Sequence, residues 1–308
     1  MASGSESGDI HPLARKTPFI GMLPIEFPVP LSAKELTSEL SRLYPRLPYP
    51  IHISAGENES SLVAMIDDAM VGVMMMDLPM PPGSLDKALH GNMLWPDAAA
   101  TVNRNRAHVI VTAMRNSANH AGAMSNAMAV TLVASALAHL LPCLGLYWTA
   151  AETLVPPDRA RAAGLEIARG EVPFDLWVRS YFKCDDTAGQ QRIGTLTRGL
   201  LNFAGRELEI MPVAMKMEEV GLRAIGMAGQ LVKHGPIYQD GETAGLTATE
   251  RFRIRHVDSP NAAGLPVLLM TWEQPAPPQP AAARPTSGPL SSPATRSFGR
   301  RTTPVKGS

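Results

Sequence analysis

The stretch RNRAHVIVTAMRNSANHAGAMSNAMAVTLVASALAHLL, from Arg104 to Leu141, carries the strongest structural signals in the chain. Ala107 to Met114 is a continuous apolar run of strand length bounded by polar clusters, which predicts a central strand. From Ser117 to Leu141 the residues are small and apolar nearly all round. That composition predicts a long helix packed on several sides, ended by Pro142.

Upstream, PFIGMLPIEFPVPL reads as an extended segment that stops at a helix start. Ser32 and Glu35 make a capping box, Leu31 and Leu36 occupy the staple positions, and Leu36, Leu40 and Leu43 form a one-sided stripe. Ile51 to Ser54, Ser61 to Asp67 and Ala69 to Met76 read as a strand and a hairpin turning at Asp67-Asp68. Short helices fit after Ser84 and around WPDAAATVNRN, with Pro96 in a first turn. Downstream, GLYWT reads as a strand and PPDRARAAGLEIARG as a helix opened by proline. FDLWVRSYFK (Phe174 to Lys183) reads as an alternating strand, and IGTLTRGLLNF and GRELEIM continue the β pattern. Lys216 to His234 is a helix closed by Gly235 and Pro236, and TERFRIRHV and LPVLLMTW are the last strands. The expected fold class is therefore α+β, with helices packed on a mostly antiparallel or mixed sheet. Residues 18–274 form the folded domain, with room for two lobes of similar size.

The two ends differ in composition from this core. Residues 1–17 are Ser/Gly-rich and polar, and 275–308 hold eight prolines, five basic residues and no acidic one. Neither can bury enough apolar area to offset ordering, so both are expected to be disordered. With 28 basic and 28 acidic residues in all, the rest of the chain is about 5 negative. No global field would then draw the folded part to nucleic acid or to an anionic membrane. No run approaches the roughly 20 apolar residues that span a bilayer, and no signal-peptide core is visible. Cys143 and Cys184 are too few for a disulfide framework, which fits a reducing cytoplasm. With 17 Met against 7 Phe, the core is expected to be filled by thioethers more than by aromatic rings.

The candidate sites are few. Arg104, Arg106 and His108 bring two guanidiniums and an imidazole together at the entry to the central strand. Without a Gly-rich nest beside them they read as a polar strand entry, and His108 is the residue to inspect because an imidazole can titrate near neutrality. Glu207 and Glu209 share a strand face, and so do Arg251, Arg253 and Arg255. A cross-strand salt-bridge ladder between the two sets is a simpler account than a glycosidase pair. DGETAG reads as an Asp-Gly turn, and no His or Cys spacing matches a metal site. Nothing calls for a cofactor. Alternation over FDLWVRSYFK puts Trp177, Arg179, Tyr181 and Lys183 on one face, an aromatic and cationic mixture enriched where proteins grip one another. The plain alternative buries that face under a helix, with the cations snorkelling outward.

The segments LWPDAAA, AHVIVTAM, LYWTAAETLVPP, FDLWV, TRGLLNFAGRELEI and HGPIYQDGETAGLTATERFRIR together resemble an uncharacterised bacterial family known as a domain of unknown function. The resemblance spans about residues 18–274, and the pairing of LWPDA with DGxT carries most of it. It implies no activity, cofactor or catalytic residue. Some such proteins lie near toxin and secretion genes, so it implies an immunity or adaptor setting by association only. The expected function is a non-catalytic module that binds another protein. The alternative is a hydrolase assembled from distant segments around His108. A polar pocket converging on His108 would favour the second, and an exposed aromatic face the first.

Overall fold

The computed structural model describes residues 18–55, 60–90, 92, 94–186, 191–247 and 250–273. The two ends for which composition predicts disorder lie outside the described residues. The first half of the chain runs β1 (Ile20–Ile25), α1 (Ala33–Leu43), β2 (Ile51–Ala55), β3 (Ser61–Ile66), β4 (Ala69–Met76), α2 (Asp86–Leu89), α3 (Ala98–Val102), β5 (Ala107–Ala113) and α4 (His120–Leu140). It continues with β6 (Leu146–Trp148), β7 (Thr153–Val155), α5 (Pro157–Ala168), α6 (Phe174–Trp177), β8 (Arg179–Asp185) and β9 (Arg192–Arg198). The last elements are α7 (Leu201–Ala204), β10 (Glu207–Val213), α8 (Met217–His234), β11 (Thr243–Ala244), β12 (Phe252–Asp258) and β13 (Pro266–Trp272).

Thirteen described strands make two sheets. The first has the order β2-β3-β4-β5-β1-β6-β7 and is antiparallel throughout. The second has the order β11-β12-β13-β10-β9-β8, antiparallel except where β10 runs parallel to β13. The fold is thus α+β with two mostly antiparallel sheets. At the β3–β4 hairpin Asp67 takes φ 52°, the left-handed geometry that a two-residue turn demands.

The Ser32 cap at the start of α1 holds, whereas Pro96, expected in a first turn, lies before the Asp97 cap of α3. Ser32 Oγ accepts from the Glu35 amide at 3.2 Å, and Leu36 and Leu40 are buried. Helix α4 is apolar all round because it has no solvent face along its middle: the first sheet, α1, α5 and α7 all pack on it. By length and hydropathy it would suffice to cross a bilayer, against the expectation that no run approaches that span, yet 72% of its most apolar window is buried inside the protein. Gly164 lets α5 lie directly on α4, since a Cβ there would fall 2.7 Å from that of Ser135 and 2.0 Å from the Tyr44 hydroxyl.

Residues from both sheets join one hydrophobic core. Its largest buried side chains are aromatic: Trp148, Trp177, Phe203 and Phe252. Trp177 stacks on Phe203 at 5.4 Å and on Trp148 at 6.2 Å between ring centroids, and Phe19 closes on Phe203 at 5.3 Å. The expectation of a thioether core is therefore corrected. Register explains why. Met22, Met65, Met70, Met74 and Met76 occupy the positions of the first sheet that alternate with its buried row, so they line its outer face.

Candidate functional site

The segment FDLWVRSYFK, expected to be one strand, divides in two. Phe174 to Trp177 is a single helical turn begun after Pro173, and the strand starts only at Arg179. Trp177 is consequently in the core with no exposed surface, and its Nε1 donates to Thr131 Oγ1 on α4 at 2.9 Å. It does not share a surface face with Arg179, Tyr181 and Lys183. Four residues of helix are too few for a 3.6-residue period to show against alternation. Gly199 fits against this turn with φ 105°, and a Cβ there would fall 2.0 Å from the Trp177 carbonyl oxygen.

The other three side chains do share the outer face of the second sheet, and each is engaged. Arg179 gives its guanidinium to backbone carbonyls: Nη1 to Glu152 at 2.7 Å and Ala88 at 3.2 Å, Nη2 to His90 at 2.8 Å. It thereby satisfies carbonyls that the short helix α2 leaves open at its C-terminus, where a cation is also electrostatically favoured. The same guanidinium lies over the Tyr181 ring, 4.8 Å from the centroid. Lys183 donates to Asn261 Oδ1 at 2.8 Å, and Asn261 in turn donates to Glu209 Oε1.

These contacts frame a cleft of about 490 Å³ between α2 and the second sheet, lined by Asp86, Lys87, His90, Glu152, Tyr181, Leu196 and Arg198. Glu152 is its keystone. The residue adopts φ 53°, ψ 36°, a left-handed conformation that costs a non-glycine residue about 1–2 kcal/mol. The surroundings over-determine it: Arg179 holds the carbonyl, Tyr181 Oη donates to Oε2 at 2.9 Å, and Lys87 Nζ donates to Oε1 at 2.9 Å. Burial pushes the Glu152 carboxyl up, but the Lys87 and Tyr181 bonds outweigh it and leave the group below the usual carboxylate range. Burial and the bond to Glu152 push the Tyr181 phenol up to about 12. Tyr181 is therefore a fixed donor and Glu152 a fixed anion.

Arg198 acts on this set through its charge alone, helping to hold the Glu152 carboxyl low. It faces Arg179 across the β8–β9 pairing, is half-buried, and has no hydrogen-bond or ion-pair partner among the described residues. Its guanidinium offers a rigid fork of donors to any acidic group that enters. No Ser, Thr or Cys is among the residues lining this cleft. Cys143 is buried, its thiol pushed up to about 11 by burial and donating to the Gly145 carbonyl. Among the described residues no three His, Cys, Asp or Glu side chains gather as a metal would require.

Arg104, Arg106 and His108 do not line the cleft. His108 is 3% exposed, with Nδ1 on the Leu78 carbonyl at 2.9 Å. Arg104 reaches Glu26 at 3.4 Å in an exposed pair, and Arg106 is exposed. Between them Asn105 ties down the preceding loop, accepting from the Met80 amide at 2.8 Å.

The salt-bridge ladder is not formed, because β13 lies between β10 and β12. Arg253 pairs with Glu273 instead. Glu207 is wholly buried and accepts from the amides of Gly199 at 2.8 Å, Leu200 at 3.1 Å and Leu201 at 3.1 Å, and from the Thr197 hydroxyl at 2.8 Å. Burial raises its carboxyl above the ordinary range against the pull of those four donors. Its work is to organise the Gly199 bend that seats Trp177.

Sequence reading missed Lys87, Glu152 and Arg198. They come from segments 65 and 46 residues apart, and the left-handed backbone at Glu152 has no sequence signature in a non-glycine residue. Comparison with protein-family models, with curated proteins and with solved structures finds no match to this chain.

Proposed function

We propose that the chain is a non-catalytic protein-binding module whose cleft beside β8 receives an acidic, extended segment of a partner protein. The observation that carries this reading is Arg198, a half-buried guanidinium that donates to no acceptor among the described residues, in a cleft where Lys87 and Glu152 hold one another and Asp86 is the remaining charged side chain. A guanidinium in that position is complementary to a carboxylate.

Two further features support it. Strand β8 is the edge of its sheet, and its half from Phe182 to Cys184 is exposed, which suits main-chain pairing with an added strand. Glu152 and Tyr181 are fixed by mutual bonding, which suits a preorganised receptor better than an acid–base pair that must exchange protons. An immunity or secretion-associated setting rests on the family resemblance alone.

The test is fluorescence anisotropy with labelled peptide pools that are acidic, neutral or basic and otherwise matched. The acidic pool should bind best, and Arg198→Ala should weaken it at least about tenfold while leaving thermal stability unchanged. Binding that ignores peptide charge, or that survives Arg198→Ala, would sink the reading.

A further inference from the structure

Helix α8 buries one side against the second sheet and α7 through Val220, Ala224, Met227, Ala228 and Leu231, and turns the other to solvent. On that outer side Leu222 is 62% exposed and Ile225 52% exposed. The solvent face of an amphipathic helix ordinarily carries polar groups there. Gly226 and Gly229 lie beside them, and a Cβ added to either would meet nothing within 4 Å. Glycine inside a helix weakens it, so two glycines facing open space ask for a reason beyond the monomer. Glu218 and Lys233 lie at opposite ends of the same face, both exposed, and neither side chain has a hydrogen-bond or ion-pair partner among the described residues.

At about 100° per residue, Glu218, Leu222, Ile225, Gly226, Gly229 and Lys233 fall within an arc of roughly 100°. Their order along the helix is self-complementary. Reversing the helix about the point midway between Ile225 and Gly226 exchanges Glu218 with Lys233, Leu222 with Gly229, and Ile225 with Gly226.

We propose that this face is the interface of a two-fold symmetric homodimer, with α8 packed antiparallel on the α8 of a second copy. Leu222 then sits over the partner's Gly229 and Glu218 against the partner's Lys233, each contact occurring twice, while Ile225 meets the partner's Ile225 beside the two-fold axis, as an isologous interface requires. A depression of about 460 Å³ lined by Val172, Phe174, Ile225, Gly229 and Lys233 lies alongside and gives room for the partner's Leu222. A heterologous partner would have no reason to match the reversed order of charges. An interface of one helix pair is small, so association is expected in the micromolar range.

Sedimentation velocity on the full chain from about 1 to 100 μM, together with light scattering, tests this directly. The wild type should dimerise reversibly. Leu222→Glu, at a position exposed in the monomer, should raise the dimer Kd at least about 30-fold without lowering the melting temperature. Glu218→Lys and Lys233→Glu should each weaken the dimer roughly 3- to 10-fold, since each puts like charges at both ends of the interface, and the double swap should restore it. A chain that stays monomeric at 100 μM overturns the proposal. So does a dimer indifferent to Leu222→Glu, or one in which the double swap is no tighter than the single variants. None of these measurements involves the cleft at Arg198, so the dimer and the peptide-binding reading stand or fall separately.

Discussion

The indole of Trp177 donates to the hydroxyl of Thr131 at 2.9 Å, and that hydroxyl in turn donates to the Ala127 carbonyl at 2.7 Å. This chain fixes the turn leading into β8 against the central helix. Trp177→Phe keeps the stack on Phe203 but removes the donor and part of the ring, and is expected to cost about 1–3 kcal/mol. Trp177→Ala should cost about 3–5 kcal/mol. Urea denaturation followed by far-UV circular dichroism measures both. A loss under 1 kcal/mol for the alanine variant would place the indole outside the core.

Glu207→Gln is nearly isosteric, yet it should destabilise by roughly 2 kcal/mol or more. Each oxygen of Glu207 accepts two bonds, at least one of them from a backbone amide, so a glutamine NH2 must face an N–H that it leaves unsatisfied. Glu207→Ala should be at least as costly. If the glutamine variant melts with the wild type, the carboxylate is not what holds the Gly199 bend.

Arg179→Lys should cost about 1–3 kcal/mol and loosen the cleft. One ammonium cannot present donors to the carbonyls of Ala88, His90 and Glu152 together, whereas a planar guanidinium can. Hydrogen exchange of the segment from Asp86 to His90 reports the loosening. Unchanged protection there would show that the clamp is dispensable.

Acid sensitivity should trace partly to Glu152. Its carboxyl lies below the ordinary range in the folded protein, so the folded state gives up this proton more readily than the unfolded chain. The stability it contributes is present above the unfolded value of about 4.3 and is lost as pH falls through the lower folded value. Glu152→Gln should flatten that acid limb. Tyr181→Phe removes one of the two donors and should shift the limb to higher pH. Urea midpoints collected from pH 3 to 7 check both, and curves parallel to the wild type would exclude Glu152 as a source.

Much of the fold was legible wherever one element announces itself by its own pattern. Ser32 and the stripe behind it mark α1, the absence of a polar side marks α4, and Gly235 with Pro236 closes α8. The paired runs around Asp67 mark their hairpin because a two-residue turn is a local matter. What escaped depends on distance or brevity. Phe174 to Trp177 makes one helical turn, shorter than any period it could display, so alternation places Trp177 on a face with Arg179 and Tyr181 that it does not share. Glu207 and Arg253 looked like partners because both sit on alternating strands, but pairing order is a property of the sheet, and β13 intervenes. The cleft suffered most. Lys87, Glu152 and Arg198 converge only after both sheets are assembled, and Arg198 is conspicuous only because no described residue accepts a hydrogen bond from it.

The position of β13 has a consequence for how the second sheet comes into being. The last described strand lies in its interior, parallel to β10 on one side and antiparallel to β12 on the other. Until Pro266–Trp272 arrives, β10 and β12 each present an open hydrogen-bonding edge, with apolar Ile210 and Ile254 beside it. During synthesis the first sheet can close on α4 while the second waits for its final strand, and a chain cut short before that strand would expose two unpaired edges of the kind that drive aggregation. The sheet that carries the cleft is completed late, and an incomplete chain is predicted to fail by precipitation before it fails by weakened binding.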